Sequence, residues 1–178
     1  MTILIVDDHP IVRKGIHALL TSAFADAEVM DASCLKEAEE ACSTRNVNIM
    51  ITDLDLNGES GLTLIRRVRD ILPSLQIVIY TMHEEPWSVC QIADTDTEGV
   101  VMKSDNASEL VKAVKNLNEG KGHYSTTFVR LLNALKLQPC RLSEREQQVI
   151  DLTAKGLSTS DMAEQLGISA NTVGLDDF

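Results

Sequence analysis

Short apolar runs along the first 120 residues alternate with stretches in which apolar residues recur every three or four positions. Runs of the first kind are typical of buried strands, and the second spacing is typical of helices that cover a sheet. Val12, Ile16 and Leu20 show the helical spacing. The predicted strands are 3–6, 27–32, 48–52, 76–80 and 99–102, and the predicted helices begin near residues 10, 35, 62, 86 and 107.

Five strand–helix units of this length predict a parallel sheet with helices on both faces. We expect the flavodoxin-like strand order 2-1-3-4-5, and therefore an α/β domain with a five-stranded parallel sheet. Residues 54–60 contain Asn57-Gly58 and are expected to form a loop. In this order the carboxyl ends of the first, third, fourth and fifth strands surround one crevice.

The pattern changes after residue 120. An apolar stripe that includes Phe128 and Leu132 predicts a linker helix from Thr126 to Lys136, which packs against its own domain or against a partner. From Arg141 onward, two shorter helical segments are separated by a turn. We expect an α/β domain over residues 1–120, a linker with a helix over 121–140 and a small all-α helix-turn-helix domain over 141–178.

Composition limits the function classes. A chain of 178 residues with 44% hydrophobic content can form one ordinary domain and a small one. The formal net charge of −11 argues against general affinity for nucleic acid or anionic membranes. The amino terminus enters a strand directly and no later stretch could span a bilayer, so we expect a cytoplasmic protein with no membrane partner. The cysteines and histidines lack metal-ligand spacing, and we interpret the histidines as ordinary surface or rim residues.

Polar side chains follow four of the predicted strands. Asp7 and Asp8 end the first strand and Asp53 ends the third, while Thr81 and Lys103 follow the fourth and fifth. Clustered carboxylates repel one another unless a cation is present, and their oxygens suit Mg²⁺. A carboxylate can attack a phosphoryl group, and a lysine and a hydroxyl can hold the product. The sequence therefore predicts an acyl phosphate site.

These motifs resemble a two-component receiver domain over residues 1 to about 120. The residues that carry the resemblance are Val6-Asp7-Asp8-His9, Asp53, Thr81 and Lys103. It implies that a histidine kinase or a histidine phosphotransfer protein phosphorylates Asp53, that Thr81 is the switch residue and that Lys103 pairs with the phosphate. Residues 9–15 and 98–103 are most similar to the NarL/FixJ family.

The same resemblance implies a magnesium site. Asp7 and Asp8 would hold Mg²⁺ together with Asp53, and the backbone carbonyl of Asp55 would supply another oxygen. A homodimer formed on phosphorylation, or a heterodimer with a related regulator, is the expected assembly.

Three positions depart from many receivers. Asn57 replaces a proline, so we expect a more flexible loop. Val100 replaces an aromatic residue that often rotates with the switch threonine. We therefore expect Thr81 and the loop after it to carry the conformational change alone. Ser104 replaces a proline that often follows a cis peptide, and it predicts a trans bond.

The carboxyl-terminal segment resembles a LuxR-type DNA-binding domain in residues 142–146, 154–158 and 168–173. Full-length members of that family bind promoter DNA. Here Val173 is followed by Gly-Leu-Asp-Asp-Phe, which is acidic and short for a recognition helix, so we expect no specific DNA binding. A frameshift, an artefact and a natural truncation all stay open as the origin of this tail. The residual candidate DNA contacts are Thr159, Ser160, Ser169, Asn171 and Thr172.

Two alternatives are kept. Asp53-Leu54-Asp55 after an apolar strand also resembles the first motif of haloacid-dehalogenase-type phosphatases, in which the second aspartate acts as acid and base. That reading leaves Asp7, Asp8 and the LuxR-like segment unexplained. The other alternative is an interaction-only receiver that titrates a related regulator or its kinase. We expect a phosphoacceptor with at most slow self-dephosphorylation rather than an enzyme.

Overall fold

The structure is a computed structural model that describes residues 1–137. The chain divides into two compact units, Met1–Leu137 and Gln138–Phe178. The predicted helix-turn-helix domain lies outside the described residues. So do its candidate DNA contacts, which are Thr159, Ser160, Ser169, Asn171 and Thr172.

The first unit alternates strands and helices along the chain. In chain order the elements are β1 (Thr2–Val6), α1 (Pro10–Ala23), β2 (Glu28–Ala32), α2 (Leu35–Thr44), β3 (Ile49–Thr52), β4 (Asp55–Leu56), β5 (Glu59–Ser60), α3 (Gly61–Ile71), β6 (Gln76–Thr81), α4 (Pro86–Ala93), β7 (Gly99–Met102), α5 (Ala107–Asn118), β8 (His123–Tyr124) and α6 (Thr126–Leu137).

The main sheet has the order β2-β1-β3-β6-β7-β8, and its strand pairs are parallel. The strands β2-β1-β3-β6-β7 follow the predicted flavodoxin-like order 2-1-3-4-5. The predicted count of five strands needs a correction, because β8 adds a sixth strand at the edge, with His123 opposite Gly99 and Tyr124 opposite Val100. A strand of two residues is too short to show an apolar period in the sequence.

The core lies on both faces of this sheet because successive strand residues point to opposite sides. In β1, Leu4 and Val6 join a buried cluster that includes residues of α2, α3, α4 and α6. Ile3 and Ile5 join the opposite cluster, which includes residues of α1 and α5. Each fully buried aliphatic side chain of this kind contributes about 1.5–3 kcal/mol.

The segment predicted as a loop at residues 54–60 is instead a small antiparallel hairpin of β4 and β5. Asn57 and Gly58 form its turn with φ angles of 57° and 82°. Two successive positive φ angles are what a tight two-residue hairpin turn needs, and Asn-Gly is the usual sequence for it. At the start of α3, a Cβ on Gly61 would lie 2.0 Å from the carbonyl oxygen of Asp53. Only glycine allows this close approach.

The linker helix packs on its own unit. α6 begins at Thr126, as predicted, and ends at Leu137. Phe128 is 2% exposed and belongs to the core cluster, and Leu131, Leu132 and Leu135 pack against that cluster. Residues 121–137 therefore belong to the same compact unit as the sheet, although the sequence predicted a linker from residue 121.

Within residues 1–137, the helices lack the combination of length and apolar character that crossing a bilayer requires.

Candidate functional site

The carboxyl ends of β1, β3, β6 and β7 lie side by side in the sheet, so the residues that follow these strands meet at one edge. The backbone N–H of Asp53 donates to the carbonyl of Val6, at 3.0 Å, which aligns the ends of β3 and β1. The N–H of Lys103 donates to the carbonyl of Thr81, at 2.7 Å, and aligns the ends of β7 and β6. Backbone hydrogen bonds between neighbouring strands thus bring the residues that follow these strands to the same edge of the sheet.

Lys103 bridges two carboxylates. Its Nζ lies 2.7 Å from Oδ2 of Asp7 and 2.6 Å from Oδ2 of Asp53. All three side chains are largely buried, with 11% of Lys103, 2% of Asp7 and 8% of Asp53 exposed. Burial of the ammonium opposes its charge, yet its hydrogen bonds to Asp53 and Asp7 outweigh this effect and raise the pKa of Lys103. The lysine is therefore a fixed cation at neutral pH.

Asp53 is held from both sides. Its Oδ1 accepts a hydrogen bond from the N–H of Leu54, at 2.7 Å, while Oδ2 faces Lys103. The carbonyl of Leu54 in turn accepts from the N–H of Gly61, at 2.8 Å, which joins this turn to the start of α3. A carboxylate with a fixed orientation next to a cation is suited to nucleophilic attack on an anionic group.

Asp8 has one oxygen without a hydrogen bond. Its Oδ2 accepts from the N–H of Asn57, at 3.1 Å. Its Oδ1 is buried and accepts no hydrogen bond, although Nδ1 of His9 lies 2.7 Å away. A proline at position 57 would lack the donor N–H, so Asn57 ties the hairpin to Asp8. The sequence predicted a more flexible loop at Asn57 and did not predict this hydrogen bond to Asp8.

His9 lies closer to the acidic pair than predicted. Its side chain is 68% exposed, which agrees with a rim position, but its ring nitrogen Nδ1 also lies 3.4 Å from Oδ1 of Asp7. Its backbone N–H donates to the same oxygen, at 2.8 Å. The sequence signal for this contact is the position of His9 directly after Asp7-Asp8.

These residues fit a divalent cation. Asp7, Asp8 and His9 offer ligand atoms that lie within 4.8 Å of one another. Oδ1 of Asp8 is buried and accepts no hydrogen bond, and it is a hard oxygen ligand of the kind that Mg²⁺ prefers. Of the other predicted metal ligands, Asp53 points one oxygen at Lys103, and Asp55 lies exposed in β4.

Thr81 is fully buried at the end of β6. Its Oγ1 accepts a hydrogen bond from the N–H of His83, at 3.3 Å, so the hydroxyl contacts the loop that leads to α4. The neighbouring Tyr80 ring lies 5.8 Å from Nζ of Lys103, a contact that the sequence did not predict. Burial raises the pKa of the Tyr80 phenol.

Two known families match the chain. Residues 3–115 match the family described as "Response regulator receiver domain". Residues 141–175 match the family described as "Bacterial regulatory proteins, luxR family". The first match spans more than half of the chain.

Similar curated proteins cover nearly the whole chain. The transcriptional regulatory protein RcsB of Salmonella typhi is 31% identical over 185 residues, which cover 97% of this chain and 83% of RcsB. The response regulator UvrY of Escherichia coli strain K12 is 27% identical over 180 residues, with the same two coverages.

Similar solved structures include that of two RcsB dimers bound to two parallel DNAs. It has a TM-score of 0.77 and 32% identity, and the match covers 97% of this chain and 86% of that one. RcsB from Salmonella enterica serovar Typhimurium, bound to promoter rprA in the presence of phosphomimetic BeF3⁻, has a TM-score of 0.75, 30% identity and the same coverage.

Proposed function

The chain belongs to the two-component response regulators of NarL/FixJ type, with a receiver domain and a LuxR-type DNA-binding domain, and from this membership we propose that Asp53 is its phosphoacceptor. A histidine kinase or a histidine phosphotransfer protein is the proposed donor. The observation that carries this proposal is Nζ of Lys103 between the carboxylates of Asp7 and Asp53. That geometry supplies a nucleophile and a cation for the transferred group in one buried place.

The proposed reaction is a phosphoryl transfer. A carboxylate oxygen of Asp53 attacks phosphorus, the bond between phosphorus and the donor nitrogen breaks, and the donor histidine keeps the electron pair. The Leu54 N–H holds the Asp53 carboxylate in orientation, and the Lys103 ammonium neutralises charge on the transferred oxygens. Mg²⁺, when bound by Asp7 and Asp8, would supply further charge neutralisation on the phosphoryl group. Thr81 is the proposed switch that pairs with the phosphorylated product.

We also propose that Asp53 is a phosphoacceptor with at most slow self-dephosphorylation and is not the nucleophile of a phosphatase. A phosphatase of the haloacid-dehalogenase type needs a second aspartate near the nucleophile as acid and base. Asp55 is exposed in the hairpin, whereas Asp53 and Asp7 are buried around Lys103. Steady release of phosphate from a small phosphate ester, at many equivalents per protein, would contradict this proposal.

Transcription control by the LuxR-type domain is the proposed output, with a dimer formed on phosphorylation, either as a homodimer or with a related regulator. RcsB, which is described as dimers bound to DNA, supports the dimer by similarity. The cytoplasmic location of the chain stays a prediction. Fluorescence anisotropy with labelled promoter DNA and scrambled competitor would test whether the LuxR-type domain binds DNA specifically.

Intact-protein mass spectrometry tests the phosphoacceptor. The protein is incubated with acetyl phosphate and Mg²⁺ beside two variants, Asp53→Asn and the exposed control Asp26→Asn. We expect one Mg²⁺-dependent phosphoryl adduct on the wild type and on the control, and none on Asp53→Asn. Folded wild-type protein that takes no adduct, or an adduct that survives in Asp53→Asn, would overturn the proposal.

A further inference from the structure

The linker helix α6 is joined by a hydrogen bond to the turn that carries Lys103. The hydroxyl of Thr127, in the first turn of α6, donates to Oδ1 of Asp105 at 2.6 Å. The second oxygen of Asp105 accepts from the N–H of Met102, at 3.2 Å, and the Asp105 N–H donates to the Met102 carbonyl, at 2.9 Å. One carboxylate thus ties α6 to the end of β7.

Lys103 lies inside this turn. The backbone on either side of it is closed by the Met102–Asp105 pair, and its own N–H is bound to Thr81. Its Nζ then reaches Asp7 and Asp53, as described above. Asp105 therefore closes the same turn from which the Lys103 side chain enters the acidic site.

The start of α6 is itself firmly placed. The N–H of Ser125 donates to the carbonyl of Val100 in β7, at 2.8 Å, and Ser125 is fully buried. Phe128 inserts into the core cluster, and its ring lies 6.2 Å from that of Tyr124 in β8. Thr127 is therefore presented to Asp105 by a helix that is packed on the sheet.

We propose that Asp105 is a positioning residue for Lys103, and that Thr127 makes the docking of α6 part of the phosphate-binding arrangement. The coupling to phosphorylation rests on the proposed function, whereas the positioning of Lys103 does not. Coupling between two sites is reciprocal. Docked α6 favours the Lys103 geometry that receives a phosphoryl group, and a phosphoryl group held by Lys103 favours docked α6.

The first experiment measures positioning without phosphate. Hydrogen exchange is compared among wild type, Thr127→Val, Thr127→Ser and the exposed neighbour control Thr126→Val. Loss of the Thr127 hydroxyl should speed exchange of the Lys103 and Asp105 amides about fivefold, as expected for one hydrogen bond. The serine variant keeps the hydroxyl and should restore wild-type exchange. Equal rates in Thr127→Val and Thr126→Val would overturn the positioning role.

The second experiment measures coupling. With acetyl phosphate and Mg²⁺, Thr127→Val should gain the Asp53 adduct about fivefold more slowly than Thr126→Val, and Thr127→Ser should match wild type. The N–H of Val129, in the first turn of α6, donates to the carbonyl of Ser125, which precedes the helix. In wild type, the phosphomimetic BeF3⁻ should slow the hydrogen exchange of this amide.

The two failures are distinguishable. A wild-type protein that takes no adduct overturns the proposed function and the coupling with it, while the exchange result still decides the positioning of Lys103. Normal adduct formation at equal rates in both valine variants overturns the coupling alone.

Discussion

Replacement of Lys103 by methionine removes the only cation described between Asp7 and Asp53 in the structure of residues 1–137. Methionine keeps most of the side-chain length but leaves two carboxylates, 2% and 8% exposed, without their shared partner. Breaking a buried ion pair by deleting one partner costs about 3–5 kcal/mol. We expect Lys103→Met to lose stability in this range in buffer without divalent cations.

Chemical denaturation followed by tryptophan fluorescence measures this loss. Trp87 is the single tryptophan of the chain and lies in α4, so its signal reports the unit that contains the site. Lys112→Met is the matched control, because Lys112 also contacts a carboxylate, that of Glu109 at 2.6 Å, but is 61% exposed. An exposed pair of this kind is worth less than about 1 kcal/mol.

Metal and pH provide two internal checks on the same variant. A cation bound at Asp7 and Asp8 should offset part of the lost charge, and Mg²⁺ at 100 times its dissociation constant adds about 2.7 kcal/mol to either protein. We expect tighter Mg²⁺ binding by Lys103→Met.

The pH dependence of stability is the second check. Because the pKa of folded Lys103 is raised above 10.5, its charge contributes fully to the free energy of unfolding below about pH 10.5, and this contribution is lost as pH rises through the folded pKa.

The double variant Lys103→Met/Asp53→Asn tests the electrostatic cause. Removing one of the two carboxylates should recover about 1–3 kcal/mol of the loss. Equal unfolding free energies for Lys103→Met and Lys112→Met, or a double variant no more stable than Lys103→Met, would show that Lys103 does not stabilise the fold through the two buried carboxylates.

Three further predictions concern stability and use the same fluorescence assay. Gly61→Ala should cost about 3 kcal/mol because the new Cβ overlaps the Asp53 carbonyl, whereas Gly15→Ala, which has open space within a helix, should gain about 1 kcal/mol; similar effects of the two would argue against the close approach. Phe128→Ala should cost about 3–5 kcal/mol, and a loss below 1 kcal/mol would mean that α6 does not pack as described. Glu98→Gln should cost about 1 kcal/mol, because the Glu98 carboxylate accepts hydrogen bonds from the Arg69 guanidinium of α3 and from the N–H of Ile77 in β6. An unchanged denaturation midpoint would contradict this.

The fold was predictable where apolar period and strand length carried the information. The run 49–52 is wholly apolar up to Thr52 and is followed by Asp53, so both the strand and the residue beyond it could be assigned. The two-residue strands β4, β5 and β8 have no period to detect. The Asn57-Gly58 hairpin is different, because its turn sequence is a recognised signal that the loop interpretation did not use.

The site was predictable as a set of residues but not as a set of contacts. Strand order alone places Asp7, Asp53 and Lys103 at one edge, because parallel strands share their carboxyl ends. Which oxygen the lysine takes depends on side-chain geometry that no spacing encodes. The ring of His9 beside Asp8 was missed for a related reason, since an exposed residue on a loop has no periodic pattern to place it.

Val100 stands where many receivers have an aromatic residue, and the aromatic side chains near this position lie on neighbouring elements instead. Val100 is buried in β7, and its backbone is paired with Tyr124, whose ring stacks near Phe128 and whose hydroxyl donates to the Thr97 carbonyl at 2.9 Å. The aromatic side chains beside this strand are thus Tyr124 of β8 and Phe128 of α6 on one side, and Tyr80 of β6, opposite Val101, on the other. Val100 itself is buried in the core cluster and carries no aromatic ring that could rotate. The hydrogen bond between Thr127 and Asp105 joins α6 to the β7–α5 turn, and this is the connection through which we propose that Lys103 and α6 are coupled.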